Sequence, residues 1–161
     1  MPINIRPIQP EDNEKIASII REILTEHGMN KPGTVFTDPT TDTLFELFQT
    51  ENAAYWVVEE NNSILGGCGI YPTKGLPNDC AELVKLYLSK ELRGKGLGKQ
   101  LMQLCTEEAK SLGYNKLYLE SMPELNSAVG LYEKLGYKKL DSPMGDSGHF
   151  ACDLWMVKEL V

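Results

Sequence analysis

The chain has 161 residues, 42% apolar and 24% charged, the size and make-up of one globular domain and not of a disordered or fibrous chain. A formal net charge of −7 gives no general attraction to nucleic acid or to an anionic membrane, and it suits a cationic substrate such as an amine. Cys68, Cys80, Cys105 and Cys152 form no CxxC pair and no Cys/His cluster with zinc spacing, so neither a metal site nor a disulfide framework is expected.

The first residues lack the layout of a signal peptide, and the longest apolar run, 53–58, is far too short to span a bilayer. A cytoplasmic protein is expected. Ile3, Ile5 and Ile8 around Arg6 read as a short first strand, ended by Pro7 and Pro10. Glu11 and Asp12 open a helix with acids at its positive end. Its stripe of Ile16, Ile19, Ile20, Ile23 and Leu24 has three-four spacing, and Gly28 stops it. Residues 29–39 read as a loop and 40–49 as a second helix with Leu44, Leu47 and Phe48 inward. Strands at 55–59 and 64–71 are joined by Glu60-Asn61-Asn62-Ser63, a hairpin signal. A Pro/Gly-rich connection leads to a strand at 81–88, then a long helix from about Gly96 to Leu112. Residues 116–121 form another strand. Asn126 or Ser127 caps a helix through Leu135, closed by Gly136. Residues 137–141 and about 150–158 read as the last two strands. No linker or repeat divides the chain, so residues 1–161 are read as a single domain of mixed α/β class.

Arg93-Gly94-Lys95-Gly96-Leu97-Gly98 lies between a strand and an amphipathic helix. Alternate glycines allow a tight turn with no Cβ in a ligand's way. Free amides and the dipole of the following helix start suit a phosphate, and Arg93, Lys95 and Lys99 add positive charge. A flexible loop would look similar, so the turn alone says only that an anion can sit there. It is not a Walker loop, because Gly98-Lys99 is followed by Gln100. It is not a GxGxxG dinucleotide turn, because the third glycine comes one place early.

The run Ala81-Glu82-Leu83-Val84-Lys85-Leu86-Tyr87-Leu88 with Arg93 to Lys99 resembles the central coenzyme A motif of the GNAT family of N-acetyltransferases. The family pattern Arg/Gln-x-x-Gly-x-Gly/Ala is met by Arg93, Gly96 and Gly98. A second segment, Asn126 followed by Leu131-Tyr132-Glu133-Lys134-Leu135-Gly136-Tyr137, is similar to the family's later helix and its exit. The resemblance covers nearly the whole chain. It implies the GNAT acyl-CoA N-acyltransferase fold, an α+β arrangement with a mixed, mostly antiparallel sheet of six to seven strands flanked by about four helices. The strands near 81–88 and 116–121 would splay apart. Acetyl-CoA would enter that split as acyl donor, with no metal. Its pantetheine arm would lie along Leu86, Tyr87 and Leu88, using the backbone of Leu86 and Leu88. Its pyrophosphate would take amides from Gly94, Lys95, Gly96, Leu97, Gly98 and Lys99. Asn126 matches a family asparagine near the pantetheine arm, and Tyr132 matches a tyrosine that hydrogen-bonds the sulfur and can protonate the leaving thiolate. The family often forms homodimers, which leaves a homodimer open here.

Amide formation from a thioester needs a neutral amine, and a lysine-like amine of pKa about 10.4 costs about 4–5 kcal/mol to deprotonate at pH 7. A carboxylate can accept that proton as attack proceeds, and the backbone N–H of Leu86 is a candidate donor to the developing oxyanion. Glu82 is the first candidate base, by its match to the histone-acetylating branch. Glu120 is the second, by its match to the ribosomal-protein N-terminal acetylating branch. Glu82 also reads as a solvated or salt-bridged strand glutamate, and Glu120 as a strand-end surface charge. Tyr132 could be only an aromatic core residue, and Asn126 only a helix cap. His149 titrates near neutrality but reads better as a turn or substrate-loop residue. Cys152 has no visible nucleophile partners, and the family transfers directly without an acyl-enzyme. The resulting expectation is an N-acetyltransferase acting on a primary amine of a small molecule, an amino-acid derivative or a protein N-terminus or lysine. The alternative is a non-catalytic acyl-CoA sensor. Acceptor choice is assigned to residues 25–40, the loop after Tyr71 and 141–150.

Overall fold

The computed structural model describes residues 2–121, 129–147 and 152–160. Among these a seven-stranded sheet comprises β1 (Asn4–Pro7), β2 (Ala54–Glu60), β3 (Ser63–Tyr71), β4 (Cys80–Leu88), β5 (Lys116–Ser121), β6 (Lys138–Leu140) and β7 (Leu154–Glu159). Their spatial order is β1-β2-β3-β4-β5-β7-β6, and only β4 and β5 run parallel. Helices α1 (Asn13–Glu26) and α2 (Leu44–Leu47) come before β2, α3 (Leu97–Ser111) joins β4 to β5, and α4 (Val129–Lys134) comes before β6. This is the mostly antiparallel sheet with four helices that the resemblance implies.

The sheet has an apolar layer on each face. Ile16, Ile20 and Leu24 of α1 pack with Leu44, Phe48, Tyr55 and Val57 on one side. Leu97, Leu101, Met102 and Cys105 of α3 pack with Val58, Leu83 and Leu117 on the other. Tyr55 and Val57 against Val58 show the period-two alternation that sends successive strand residues to opposite faces. Asn61 and Asn62 both adopt positive φ, 54° and 65°, which a two-residue hairpin with the right twist requires.

β1 ends at Pro7, as the sequence reading has it; Pro7 pairs opposite Trp56 because β1 is an edge strand and its missing N–H is needed by no neighbour. The boundaries of the first two helices differ from the sequence reading. A 3₁₀ turn over Pro10–Asp12 precedes α1. The helix expected at 40–49 is instead a 3₁₀ turn, Pro39–Thr43, followed by the short α2. Asp38 Oδ1 accepts from the Thr40 amide and hydroxyl, and Thr41 Oγ1 donates to the Val35 carbonyl. Side chains that bond nearby backbone in this way compete with α-helix formation.

Two features of β4 prepare the site. It pairs with β5 only at Cys80–Lys116, Ala81–Leu117 and Glu82–Tyr118, so the two strands part beyond Glu82. It also carries a bulge. Tyr87 faces Gly67 while Val84 faces Gly69, which places one extra residue in β4. Lys85 takes a φ of 53° at this point, and the Tyr55 hydroxyl donates to its carbonyl at 2.8 Å. The ring of Tyr55 reaches the bulge across β3 because Gly67 and Gly69 leave room. A Cβ on Gly67 would sit 2.6 Å from Tyr55 Cε1, and one on Gly69 would sit 2.5 Å from Tyr55 Cδ2.

Candidate active site

The end of β4 and the glycine turn line a cleft of about 590 Å³. Leu86, Tyr87 and Leu88 contribute from the strand, and Arg93, Gly94, Gly96, Leu97, Gly98 and Lys99 from the turn and the start of α3. Leu131 and Tyr132 of α4 close it from one direction, Ile23 and His27 from another. Lys95 is exposed and does not line it. Gly94 and Gly96 adopt left-handed φ of 79° and 76°, and a Cβ on either would meet nothing within 4 Å. The turn thus needs glycine for its conformation and leaves open space before it. Gln100 N donates to Gly96 O at 3.1 Å, so the amides of Leu97, Gly98 and Lys99 precede the helical ladder. Three such donors at a helix start suit an anion.

The strand edge is also available. The Ser89 amide donates to Leu65 O on the β3 side at 2.8 Å. By alternation the N–H and C=O of Leu88 point away from β3, into the split, and those of Leu86 have the same sense. Arg93 Nε takes the Leu88 carbonyl at 3.1 Å. The charge of Arg93 is largely committed: its Nη2 lies 2.7 Å from Glu26 Oε1, and Lys90 Nζ lies 3.0 Å from Glu26 Oε2. These bonds, Arg93 first, hold the Glu26 carboxyl below its usual range. Arg93 therefore ties the end of α1 to the turn, and it is Lys99 that brings a lysine to the lining. The cleft thus has a strand edge along one part and open amides along another, an arrangement that can take a ligand carrying both an amide chain and an anionic group. Tyr132 is buried beside it, edge-on to Tyr137 at 6.2 Å between centroids. Its hydroxyl bonds no described residue, and burial pushes its pKa well above the ordinary value, so it is a neutral donor.

A second cleft, of about 310 Å³, opens at the earlier half of β4. Glu82, Val84 and Lys85 line it from the strand. All three segments expected to govern acceptor choice contribute: Asp38 from the first, Thr73 and Lys74 from the second, Asp146 and Ser147 from the third. The last two segments are joined by Asp146 N donating to Lys74 O at 2.7 Å. Leu47, Phe48 and Tyr71 supply an apolar side, with Phe48 and Tyr71 edge-to-face at 5.7 Å. Glu82 is only 4% exposed, and its Oε1 accepts from Thr73 Oγ1 at 2.6 Å.

Glu120 lies elsewhere. It accepts from Tyr118 Oη at 2.7 Å and from Ser147 Oγ at 2.6 Å, and the Tyr118 hydroxyl also accepts from Met144 N. It fastens the 144–147 segment to β5 and lines neither cleft. The Cys152 thiol is pushed up to about 12 by burial and by Glu120 and Glu82, which keeps it un-ionised near neutrality. Asn126 and His149 lie outside the described residues. Among the described residues no group of three or more His, Cys, Asp or Glu side chains could hold a metal ion, and no helix is long and apolar enough to cross a membrane. The sequence reading missed Lys85, Asp38, Thr73 and Tyr55. The one sequence signal for them is the run Gly66-Gly67-Cys68-Gly69, unusual inside a strand and a mark of close approach by another group.

A parallel strand pair that parts beside a glycine-led helix start, with a polar cleft at the earlier half of the same strand, defines an acyl-CoA-dependent transferase. The chain belongs to the acetyltransferase (GNAT) family, whose profile matches residues 17–137, and is an acyl-CoA-dependent N-acetyltransferase. An N-acetyltransferase of Escherichia coli named YjgM, described as uncharacterized, is 38% identical over 165 residues, covering 98% of this chain and 99% of its own. A GNAT-family acetyltransferase of Staphylococcus aureus superposes with a TM-score of 0.88 at 19% identity, covering 99% of this chain and 100% of its own. The PaiA N-acetyltransferase of Thermoplasma acidophilum, solved in complex with coenzyme A, superposes with a TM-score of 0.75 at 21% identity, covering 99% of each chain. These solved structures share the fold.

Proposed function

We propose that residues 1–161 form one catalytic domain that moves an acetyl group from acetyl-CoA directly to a primary amine of a small molecule, an amino-acid derivative or a protein N-terminus or lysine. The observation that carries this reading is the pair of clefts on one strand: the coenzyme A-sized cleft at Leu86–Leu88 and the smaller cleft at Glu82–Lys85. Acetyl-CoA supplies an activated thioester. The backbone of Leu86 and Leu88, beside Tyr87, holds the pantetheine arm, and the amides between Gly94 and Lys99 hold the pyrophosphate. Asn126 assists at the pantetheine arm. Glu82 removes the amine proton, with the Thr73 hydroxyl fixing its orientation. Tyr132 donates its hydroxyl proton toward the departing sulfur. Glu120 is the weaker candidate base, because it lines neither cleft whereas Glu82 lines the smaller one.

The reading is tested by thiol release from acetyl-CoA across a panel of amines, amino acids and N-terminal peptides. Glu82→Gln and Tyr132→Phe should each lower kcat about 10²-fold or more, while acetyl-CoA still binds by calorimetry. Transfer that is unchanged in both variants would refute the assigned roles. Glu120→Gln should cost stability more than turnover.

A further inference from the structure

Lys85 is an unusual residue for a strand interior. It is the extra residue of the β4 bulge, and its φ of 53° is a left-handed conformation that an L-residue rarely adopts. The fold maintains that conformation through the Tyr55 hydroxyl on the Lys85 carbonyl. The side chain is half-buried and lines the smaller cleft together with Glu82 and Asp38. Burial disfavours its charge, and Asp38 and Glu82 favour it. The Lys85 amine therefore lines the acceptor cleft where a ligand carboxylate would favour its charged form.

We propose that the smaller cleft takes an α-amino acid with an apolar side chain: its carboxylate pairs with Lys85, its amine faces Glu82, and its side chain rests on Leu47, Phe48 and Tyr71. The proposal rests on the acetyl-transfer reading above for the fate of the amine. A nitrogen–carbon bond to the acetyl carbonyl forms as the carbon–sulfur bond breaks. One amine proton passes to Glu82, coenzyme A leaves as its thiol, and the product is an N-acetyl amino acid. The cleft carries both signs of charge, which a dipolar ligand matches. A polyamine would bring a second cation against Lys85. A simple alkylamine, or a peptide N-terminus with an amide in place of the carboxylate, would bring Lys85 no carboxylate. The volume of about 310 Å³ is at the lower end of the roughly 300–1,000 Å³ of small-molecule sites, which suits one amino acid.

The experiment compares acceptors that differ only in the carboxylate: phenylalanine against phenethylamine, and leucine against isoamylamine. For wild type, kcat/KM should favour the amino acid by at least about tenfold, the worth of one charge-assisted hydrogen bond. Lys85→Met should bring the ratio close to one, and Lys85→Arg should retain most of it. Circular dichroism and Tm confirm that both variants fold. A wild-type ratio at or below one overturns the proposal, as does a ratio that folded Lys85→Met leaves unchanged. Titration calorimetry of phenylalanine and phenethylamine into the protein with coenzyme A separates the two readings. Carboxylate-dependent binding without turnover upholds this proposal and refutes acetyl transfer. Turnover of both members of each pair without preference does the reverse, and absence of any carboxylate-dependent binding overturns this proposal outright.

Discussion

Tyr55→Phe removes one oxygen from the interior and tests whether the β4 bulge is actively held. The hydroxyl donates to the Lys85 carbonyl at 2.8 Å, and the ring is 2% exposed, so water cannot replace it. Burial raises the Tyr55 pKa well above its ordinary value, so the group is a donor at every working pH. Loss of a partner for a buried carbonyl costs about 1–3 kcal/mol. The bond also opposes relaxation of Lys85 from its left-handed φ, so a value near 2 kcal/mol is expected. For a chain of this size that is a fall in Tm of roughly 4–8 °C. The bulge sets the aim of both Glu82 and Leu86, so kcat/KM should fall at least about tenfold. Tyr114→Phe is the control. Its hydroxyl donates to the Asn52 carbonyl at 2.9 Å, far from β4 in the chain, and should cost stability without changing turnover. Scanning calorimetry and thiol-release kinetics read the two effects. A Tyr55→Phe protein with wild-type Tm and wild-type kcat/KM would refute the reasoning.

Two further predictions concern the ends of α1 and the start of α3. Asp12 is 4% exposed, and burial alone would raise its pKa; two bonds from Arg6, at 2.8 and 3.0 Å, and one from the Gln9 amide outweigh this and hold it below the ordinary range. A depressed carboxyl stabilises the fold above its unfolded pKa of about 3.9 and loses that contribution as pH falls through the lower native value. Asp12→Asn should therefore cost on the order of 3 kcal/mol by urea unfolding at pH 7, with the gap to wild type closing in acid below about pH 4. Gly96→Ala should raise KM for acetyl-CoA about tenfold, since it places a Cβ in the open space before the α3 amides and strains a φ of 76° by roughly 1–2 kcal/mol. Gly113→Ala, at a φ of 91° and equally free of neighbours, should show the strain in Tm but no change in KM.

What was legible in the sequence is what short-range chemistry decides. Asn61-Asn62 marks a turn because both residues tolerate positive φ, and 116–121 reads as a strand to the residue. The glycine turn is legible because its donors lie within a few positions of one another. The positive charge that Arg93 adds to the turn is legible, but its pairing with Glu26 is not, because Glu26 stands 67 positions away. The helix expected at 40–49 fails because apolar spacing says nothing of the Thr40 hydroxyl on the Asp38 carboxylate or of the Thr41 hydroxyl on the Val35 carbonyl. The acceptor cleft draws on Asp38, Thr73, Glu82 and Asp146, which only the closed sheet brings together. Glu82 and Glu120 look alike as strand carboxylates, and the closed sheet separates them by placing Glu82 in the lining of a cleft and Glu120 in neither.

The bulge left no periodic trace, and it is the feature that joins the two clefts. Strict alternation along β4 would send Glu82, Val84, Leu86 and Leu88 to one face. With one residue added, Val84 and Tyr87 pack on the α1 side, whereas Leu86 and Leu88 join Ala81 and Leu83 on the α3 side. Glu82 and Lys85 can thus open toward an acceptor while the following residues turn their free edge to the split. The device has a cost: each glycine inside a strand weakens it by roughly 0.5–1 kcal/mol relative to alanine. At Gly67 and Gly69 that cost persists because the Tyr55 ring fills the space their side chains would occupy. Glycines, tyrosine and bulge therefore form one unit, and a change at any of the three should be felt in both clefts at once.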